Sequence, residues 1–266
     1  MDLILKEEQQ LDYLENVTKL AQRYAAVLSI QLQLAEIQRC CQELEKGRLL
    51  SRPLPPLQLT DDDWWQMVAS AEGSGRDSVA CQRDFLTLDH LLHNFRKYLQ
   101  YHFGQWTLIS EQALAIWTHL LPGRRYLELM AGNGRLARSL AGLGQSVIAT
   151  DSFAWRTENK TGRQTYYPVE ALAAPAALHK YATQVDIVVL SWSPNNDPLD
   201  WLLFQQLQQL PASQRPDLLV IGEPFGVTNS LTFWQFARRR FSAPAQLISR
   251  YLPMTSDGVH EQVLLF

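Results

Sequence analysis

"YLELMAGNGRLARSLAGLGQSVIATD", Tyr126 to Asp151, is the stretch on which the fold turns. A β-prone run (Tyr126–Met130) meets Gly132-Asn133-Gly134, a helix-like run follows, and a second β-prone run ends on Asp151. Glycines at such a turn let the backbone approach a ligand and adopt angles that other residues resist. The following helix offers N–H groups without intrahelical partners. A carboxylate closing the second strand can accept hydrogen bonds from the vicinal hydroxyls of a ribose. Each feature alone is satisfied by a tight turn or a capping aspartate. Together, on neighbouring parallel strands, they point to a nucleoside-type ligand.

Downstream, short β-prone runs near 164–167, 185–190 and 217–221 alternate with helical patterns at 170–181, 199–210 and 231–240. Such alternation predicts a parallel sheet covered on both faces. "AQLISRYLPM" (245–254), "TSDG" (255–258) and "VHEQVLLF" (259–266) read as two strands joined by a turn containing Asp257-Gly258. The expectation is an α/β fold: a doubly wound, mostly parallel seven-stranded sheet ending in an antiparallel hairpin.

Upstream the pattern is helical. Residues 3–46 contain no Gly or Pro. Apolar residues recur at helical spacing through Leu11, Leu14, Val17, Leu20, Ala21, Tyr24, Val27, Leu28, Leu34, Ile37, Cys41 and Leu44. One long amphipathic helix or a helical hairpin is expected, ending near Gly47, with packing inside the chain as its main use and a homodimer through it as the lesser one. "SRPLPPLQL" (51–59) reads as an extended connector. Thr60 before Asp61-Asp62-Asp63 is a helix start, where carboxylates meet the macrodipole, and not a metal site. "GSGRDS" (73–78) is a loop, and 79–103 reads as a helix on which His90 and His93 lack ligand partners. A helical N-terminal region (1–103) is thus expected before an α/β domain (104–266).

The composition, 46% hydrophobic and 19% charged, is that of a chain able to bury a sizeable core. A net charge of −3 and a pI near 6.1 give no footprint for nucleic acid or an anionic membrane. Arg238-Arg239-Arg240 reads as a solvated helix end. Cys40, Cys41 and Cys81 make a poor disulfide framework, no C-x-x-C or H-x-x-x-H spacing offers a structural metal site, and no leader or membrane-length apolar run stands out. A cytoplasmic protein is the expectation.

Two cofactor classes compete for the glycine stretch. Gly132-x-Gly134-x-x-Ala137 fits the looser dinucleotide fingerprint, which would make an NAD-dependent oxidoreductase. Glu128 counts against it, since a carboxylate beside the helix N-terminus repels a pyrophosphate. A ligand carrying an ammonium and a sulfonium is instead attracted. "ELMAGNG" with "VIATD" resembles the first two motifs of class I S-adenosylmethionine-dependent methyltransferases: an acid on strand one, a glycine loop, and an acid ending strand two. A reversed last strand is what that superfamily implies. "AGNG" abbreviates its G-x-G-x-G.

The resemblance implies roles residue by residue. Glu128 would orient the loop and the cofactor's ammonium. Ala131, Gly132, Asn133 and Gly134 would admit the methionine moiety and the ribose, and Asp151 would hold the ribose hydroxyls. Ser152 and Phe153 would border the adenine, and Glu170, placed after the third strand, would serve the adenine edge or cap a helix. The loop "SWSPNN" after strand four would face the transferred methyl. Trp192-Ser193-Pro194-Asn195 stands where some members carry Asn/Asp-Pro-Pro-aromatic, which counts against methylation of a nucleobase amino group. Ser191, Trp192, Asn195 and Glu223 could converge at the strand ends, with Glu223 able to take an acceptor proton or simply to cap a turn. Tyr101 and Trp106 are candidate lid residues or core. The resulting expectation is an S-adenosylmethionine-dependent methyltransferase acting on a small molecule or a protein group. A non-catalytic methyltransferase-like scaffold is the second reading, and an oxidoreductase the third.

Overall fold

The computed structural model describes residues 13–73, 75–157 and 162–266. Leu11 of the N-terminal pattern and Ser74 of the "GSGRDS" loop lie outside them. Five helices come first: α1 (Tyr13–Arg23), α2 (Leu28–Glu45), α3 (Asp61–Glu72), α4 (Ser78–His93) and α5 (Phe95–Phe103). Helix α6 (Glu111–Leu120) leads into the sheet. There follow β1 (Arg125–Leu129), α7 (Arg135–Gly142), β2 (Ser146–Asp151), β3 (Val169–Ala171), α8 (Ala174–Tyr181), β4 (Ile187–Ser191), α9 (Leu199–Gln208), β5 (Asp217–Gly222), α10 (Leu231–Phe236), α11 (Ala243–Ser249) and β6 (Gln262–Leu265).

The N-terminal pattern folds as a helical pair, broken at 24–27 without Gly or Pro. Val27 is extended, and the Gln31 side chain donates to the Ala21 carbonyl, replacing a lost helical bond at 2.8 Å. The apolar face, with Val17, Ala21, Tyr24, Ile37 and Leu44 fully buried, turns inward onto α4 and α5. Leu28, assigned to that face by its spacing, is 68% exposed. Thr60 and Asp63 form a reciprocal capping box, so the acidic run is a helix N-terminus. The pattern over 79–103 divides at Asn94 into α4 and α5.

The sheet has six strands in the order β3-β2-β1-β4-β5-β6, parallel except for β6, which runs antiparallel to β5. Alternation along the strands feeds two cores. Leu127, Leu129, Val188, Leu190 and Val220 face α8, α9 and α10, whereas Tyr126, Val189, Leu219 and Ile221 face α6, α7 and α11. Two expectations are corrected. Among the described residues there are six strands and not seven, because 245–254 opens as helix α11. Ala245 and Ile248 recur at helical spacing onto the core, and the Ser242 hydroxyl caps the Ala245 N–H at 3.2 Å. The third strand lies at 169–171, later than 164–167, because Tyr166 and Tyr167 are used in tertiary contacts. The Arg135 guanidinium lies 4.4 Å from the Tyr166 ring, and the Tyr167 hydroxyl donates to the Val147 carbonyl. Glu170 therefore sits within β3 and not after it.

A further correction concerns Arg238–Arg240. Helix α10 ends at Phe236, and the run is not a helix end: Arg240 pairs with Asp217 and bridges backbone to Leu265. No helix of the described residues is long and apolar enough to cross a membrane.

Candidate functional site

In an open parallel sheet, ligands bind beyond the carboxyl ends of the strands, where the strand order reverses. Here β1, β2 and β3 progress one way and β4, β5 and β6 the other, so the reversal lies between β1 and β4. The loop after β1 holds Met130 to Gly134, and the loop after β4 begins at Trp192. The resemblance had assigned cofactor to the first loop and acceptor to the second. A separate cavity of about 710 Å³, lined by Phe204, Arg215 and Phe266 among others, opens at the opposite end of β5, away from this crevice.

The glycine loop is built by its backbone. Gly134 caps α7 in the left-handed region (φ +74°), and a Cβ there would come within 2.8 Å of Val169 Cγ2. Gly132 is also left-handed, but a Cβ on it would meet nothing within 4 Å, so its outer side faces open space. Met130 stands at φ +53°, a costly conformation for a side-chain-bearing residue and one that marks the abbreviated glycine position. Ala131 is buried beneath, its N–H donated to the Thr150 carbonyl.

Three acceptors of the chain itself consume the N–H groups that a pyrophosphate would need. Asp151 Oδ2 accepts from the Gly132 N–H at 2.7 Å, Asn133 Oδ1 from the Arg135 N–H at 3.4 Å, and the Glu128 carboxyl from the Ala137 N–H. Glu128 is fully buried on β1, and its Oε2 has no hydrogen-bond partner. Burial, reinforced by the charge of Asp151, pushes its pKa up to about 8. An unpaired buried carboxyl oxygen costs stability unless a partner arrives. An ammonium would be such a partner.

Asp151 is also buried. Beyond Gly132 it accepts from the Phe153 N–H at 2.6 Å and from the Trp155 indole N–H at 3.2 Å. A carboxylate has about four acceptor positions, so little capacity remains until the indole swings away. Trp155 escaped the sequence reading, although an indole four residues after a strand-ending acid is a readable signal. Phe153 (φ +57°) carries the Arg156 guanidinium 3.8 Å from its ring centroid, and Ser152 is exposed beside it. Asn133 turns away from the crevice, donating its amide to the carbonyls of Phe103 and Gly104. Glu170 is not gathered with this group. It accepts from Lys180 and Tyr181 at the sheet edge, and Lys180 first of all holds its pKa below the usual value.

Beyond β4 and β5 the expected residues have different settings. Ser191 ends β4 in register with Ile221, and Asn195 is exposed. Glu223 serves as a turn cap: it accepts from the N–H groups of Val227 (3.0 Å) and His260 (2.9 Å). Trp192 alone takes a site-like position. It sits at φ +54°, donates its indole N–H to Glu261, and lies under the Arg96 guanidinium at 5.3 Å.

Glu261 is a second residue that the sequence reading missed. It is fully buried at the head of β6, at the carboxyl end of β5. It accepts from Arg96 Nη1 at 2.9 Å and from the Leu108 N–H at 3.2 Å. Burial raises its pKa, against the lowering pull of Arg96. Arg96, buried on α5, also pairs with Asp257 and donates to Thr255. The helical region thereby reaches into the sheet's mouth. Behind Trp192, Ser193 Oγ and both amide atoms of Asn229 are buried without partners.

No protein-family model matches the chain, and no curated protein matches it. Among solved structures it is similar to the magnesium protoporphyrin IX methyltransferase from Synechocystis PCC 6803 with bound S-adenosylmethionine. That match has 15% identity and a TM-score of 0.32, over 58% of this chain and 77% of that one. It is also similar to the N,N-8-amino-8-demethyl-D-riboflavin dimethyltransferase from Streptomyces davawensis, at 14% identity and TM-score 0.32, over 87% and 68%. A third is an O-methyltransferase from neocarzinostatin biosynthesis in complex with S-adenosylmethionine and 2-hydroxy-5-methyl naphthoic acid, at 12% identity and TM-score 0.33, over 89% and 69%. Likenesses this distant do not bear on what this chain binds.

Proposed function

We propose that the chain binds S-adenosylmethionine in the crevice between the β1 and β4 loops and is a methyltransferase for a small-molecule or protein acceptor. The observation that carries this reading is the electrostatics of the glycine loop. Glu128 and Asp151 are buried at its base, and the chain's own oxygens already occupy the N–H groups of Gly132, Arg135 and Ala137. The Asp151 charge and the occupied N–H groups disfavour a pyrophosphate, and Glu128, which burial keeps protonated, can yield its proton to become the partner of an ammonium.

The residues present fit such a group. Gly132 opens onto free space, Asp151 can exchange the Trp155 indole for ribose hydroxyls, and Glu128 Oε2 is a buried acceptor without a donor. When bound, the cofactor supplies a methyl group on an electrophilic sulfonium. The chain's part is to hold the acceptor in line and exclude water, since positioning alone can provide a large share of the acceleration.

Glu223 does not look like the base, because two backbone N–H groups occupy its carboxylate. That observation also favours a second reading, a nucleoside-binding scaffold that does not transfer the methyl. Calorimetric titration with S-adenosylmethionine, S-adenosylhomocysteine and NAD separates the possibilities. The reading expects binding of the two sulfur nucleosides and none of NAD, with affinity reduced at least about tenfold in Asp151→Asn. Binding of NAD alone would overturn it. Binding of the sulfur nucleosides without turnover over a broad acceptor panel would favour the scaffold.

A further inference from the structure

The acceptor side of the crevice is walled by aromatic rings. Tyr101, Trp106 and Trp192 form a row, with ring centroids 6.2 Å apart from Tyr101 to Trp106 and 6.1 Å from Trp106 to Trp192. The segment that carries Trp106 crosses the mouth of the sheet. Its start is tied to the glycine loop through Phe103, Gly104 and the Asn133 amide, and its end to Glu261 through Leu108. The wall therefore stands between the cofactor loop and the end of β5.

The Trp192 end of the row is held in place from several sides. Trp192 holds a strained left-handed backbone, with its N–H on the Ile221 carbonyl at 2.9 Å and its indole N–H on Glu261. Strain at a bulky residue persists only where surrounding structure imposes it. Arg96 is spent on Glu261 and Asp257, and Glu223 on the backbone. What the wall offers is ring surface: Trp106 is 42% exposed, and Trp192 and Tyr101 are half-buried. Pre-placed indole faces bind flat π-systems at small entropic cost and give less to a saturated, puckered molecule of similar size.

We infer that the methyl acceptor is a planar aromatic small molecule that stacks on the exposed Trp106 indole, with Trp192 tilted at 45° beside it. This rests on the methyltransferase reading above.

The test uses the full chain saturated with S-adenosylhomocysteine, whose binding is first established by calorimetry. The loaded protein is then titrated with 2-naphthol and with 2-decalol, its saturated counterpart of similar size, following both heat and tryptophan fluorescence. 2-Naphthol is expected to bind about tenfold more tightly than 2-decalol and to quench the indole emission. Trp106→Ala should weaken 2-naphthol about fivefold while leaving S-adenosylhomocysteine affinity within about twofold. Trp192→Phe keeps a ring but loses the bond to Glu261, and it should weaken 2-naphthol less than Trp106→Ala does. Equal binding of the two alcohols, or an unchanged 2-naphthol affinity in Trp106→Ala, would overturn the acceptor class while leaving the cofactor reading intact. Failure of S-adenosylhomocysteine itself to bind would overturn both.

Discussion

The two halves of the crevice use buried carboxyl groups in opposite ways. On the cofactor side Glu128 is sealed under α7 with one oxygen unpaired and no cation against it. On the acceptor side Glu261 is sealed just as deeply but is met by Arg96, Trp192 and the Leu108 N–H. A buried carboxyl with its partners in place is architecture. One without a partner is a site awaiting a charge or a donor. On the proposed function, the difference separates a half that would bind by electrostatics from a half that offers a fixed surface.

The acceptor half should break most severely. Arg96→Ala leaves Glu261 buried and Asp257 partly buried beside a missing cation, and a loss of about 3–5 kcal/mol in urea unfolding is expected. Pairing Arg96→Met with Glu261→Gln removes the charge mismatch and should recover a substantial part. If Arg96→Ala costs no more than an ordinary surface substitution, Glu261 is not held as described.

On the cofactor side, pH is the lever. The raised pKa of Glu128 means that the folded chain holds a proton that the unfolded chain gives up at its ordinary value. The resulting stability is complete below about pH 4.5 and is lost as pH rises through about 8. The loss is on the order of a few kcal/mol. Thermal melts of wild type should fall across that window, and those of Glu128→Gln should fall less. Glu261 shifts in the same direction, so only the difference between the two proteins reports Glu128.

The strand–turn–helix of residues 126–151 was legible because turn, helix start and strand-ending acid are local features. The parallel sheet followed from alternation of element types. The acceptor half was less legible because its key contacts join Arg96 to residues 255–261 across the chain, and no local pattern announces them. Glu223 carried the right residue type at a strand end, yet the turn at 223–227 claims its oxygen. The strand expected over 245–254 fails for a related reason: a turn at Asp257-Gly258 suggested a hairpin, but Ala245 and Ile248 face the core at helical spacing.

Two smaller effects sharpen the comparison. Trp155→Phe deletes a donor to Asp151 that a ribose must displace, so S-adenosylhomocysteine should bind about two- to fivefold more tightly by calorimetry. A weaker complex would mean that the indole assists binding and does not compete. Ser193→Ala removes a buried hydroxyl that has no partner, and should leave stability unchanged or raise it by up to about 1 kcal/mol in urea unfolding.

The most direct measurement is the proton balance of S-adenosylmethionine binding, read by calorimetry near pH 7 in buffers of different ionisation enthalpy. Glu128 is largely protonated there in the free protein. An ammonium settling against it favours the carboxylate, so wild type should release a substantial fraction of one proton and bind more tightly from about pH 6 to about pH 7.5. Glu128→Gln should release none. Equal proton release by both proteins, or no binding at all, would contradict the assignment of this crevice to a cationic nucleoside.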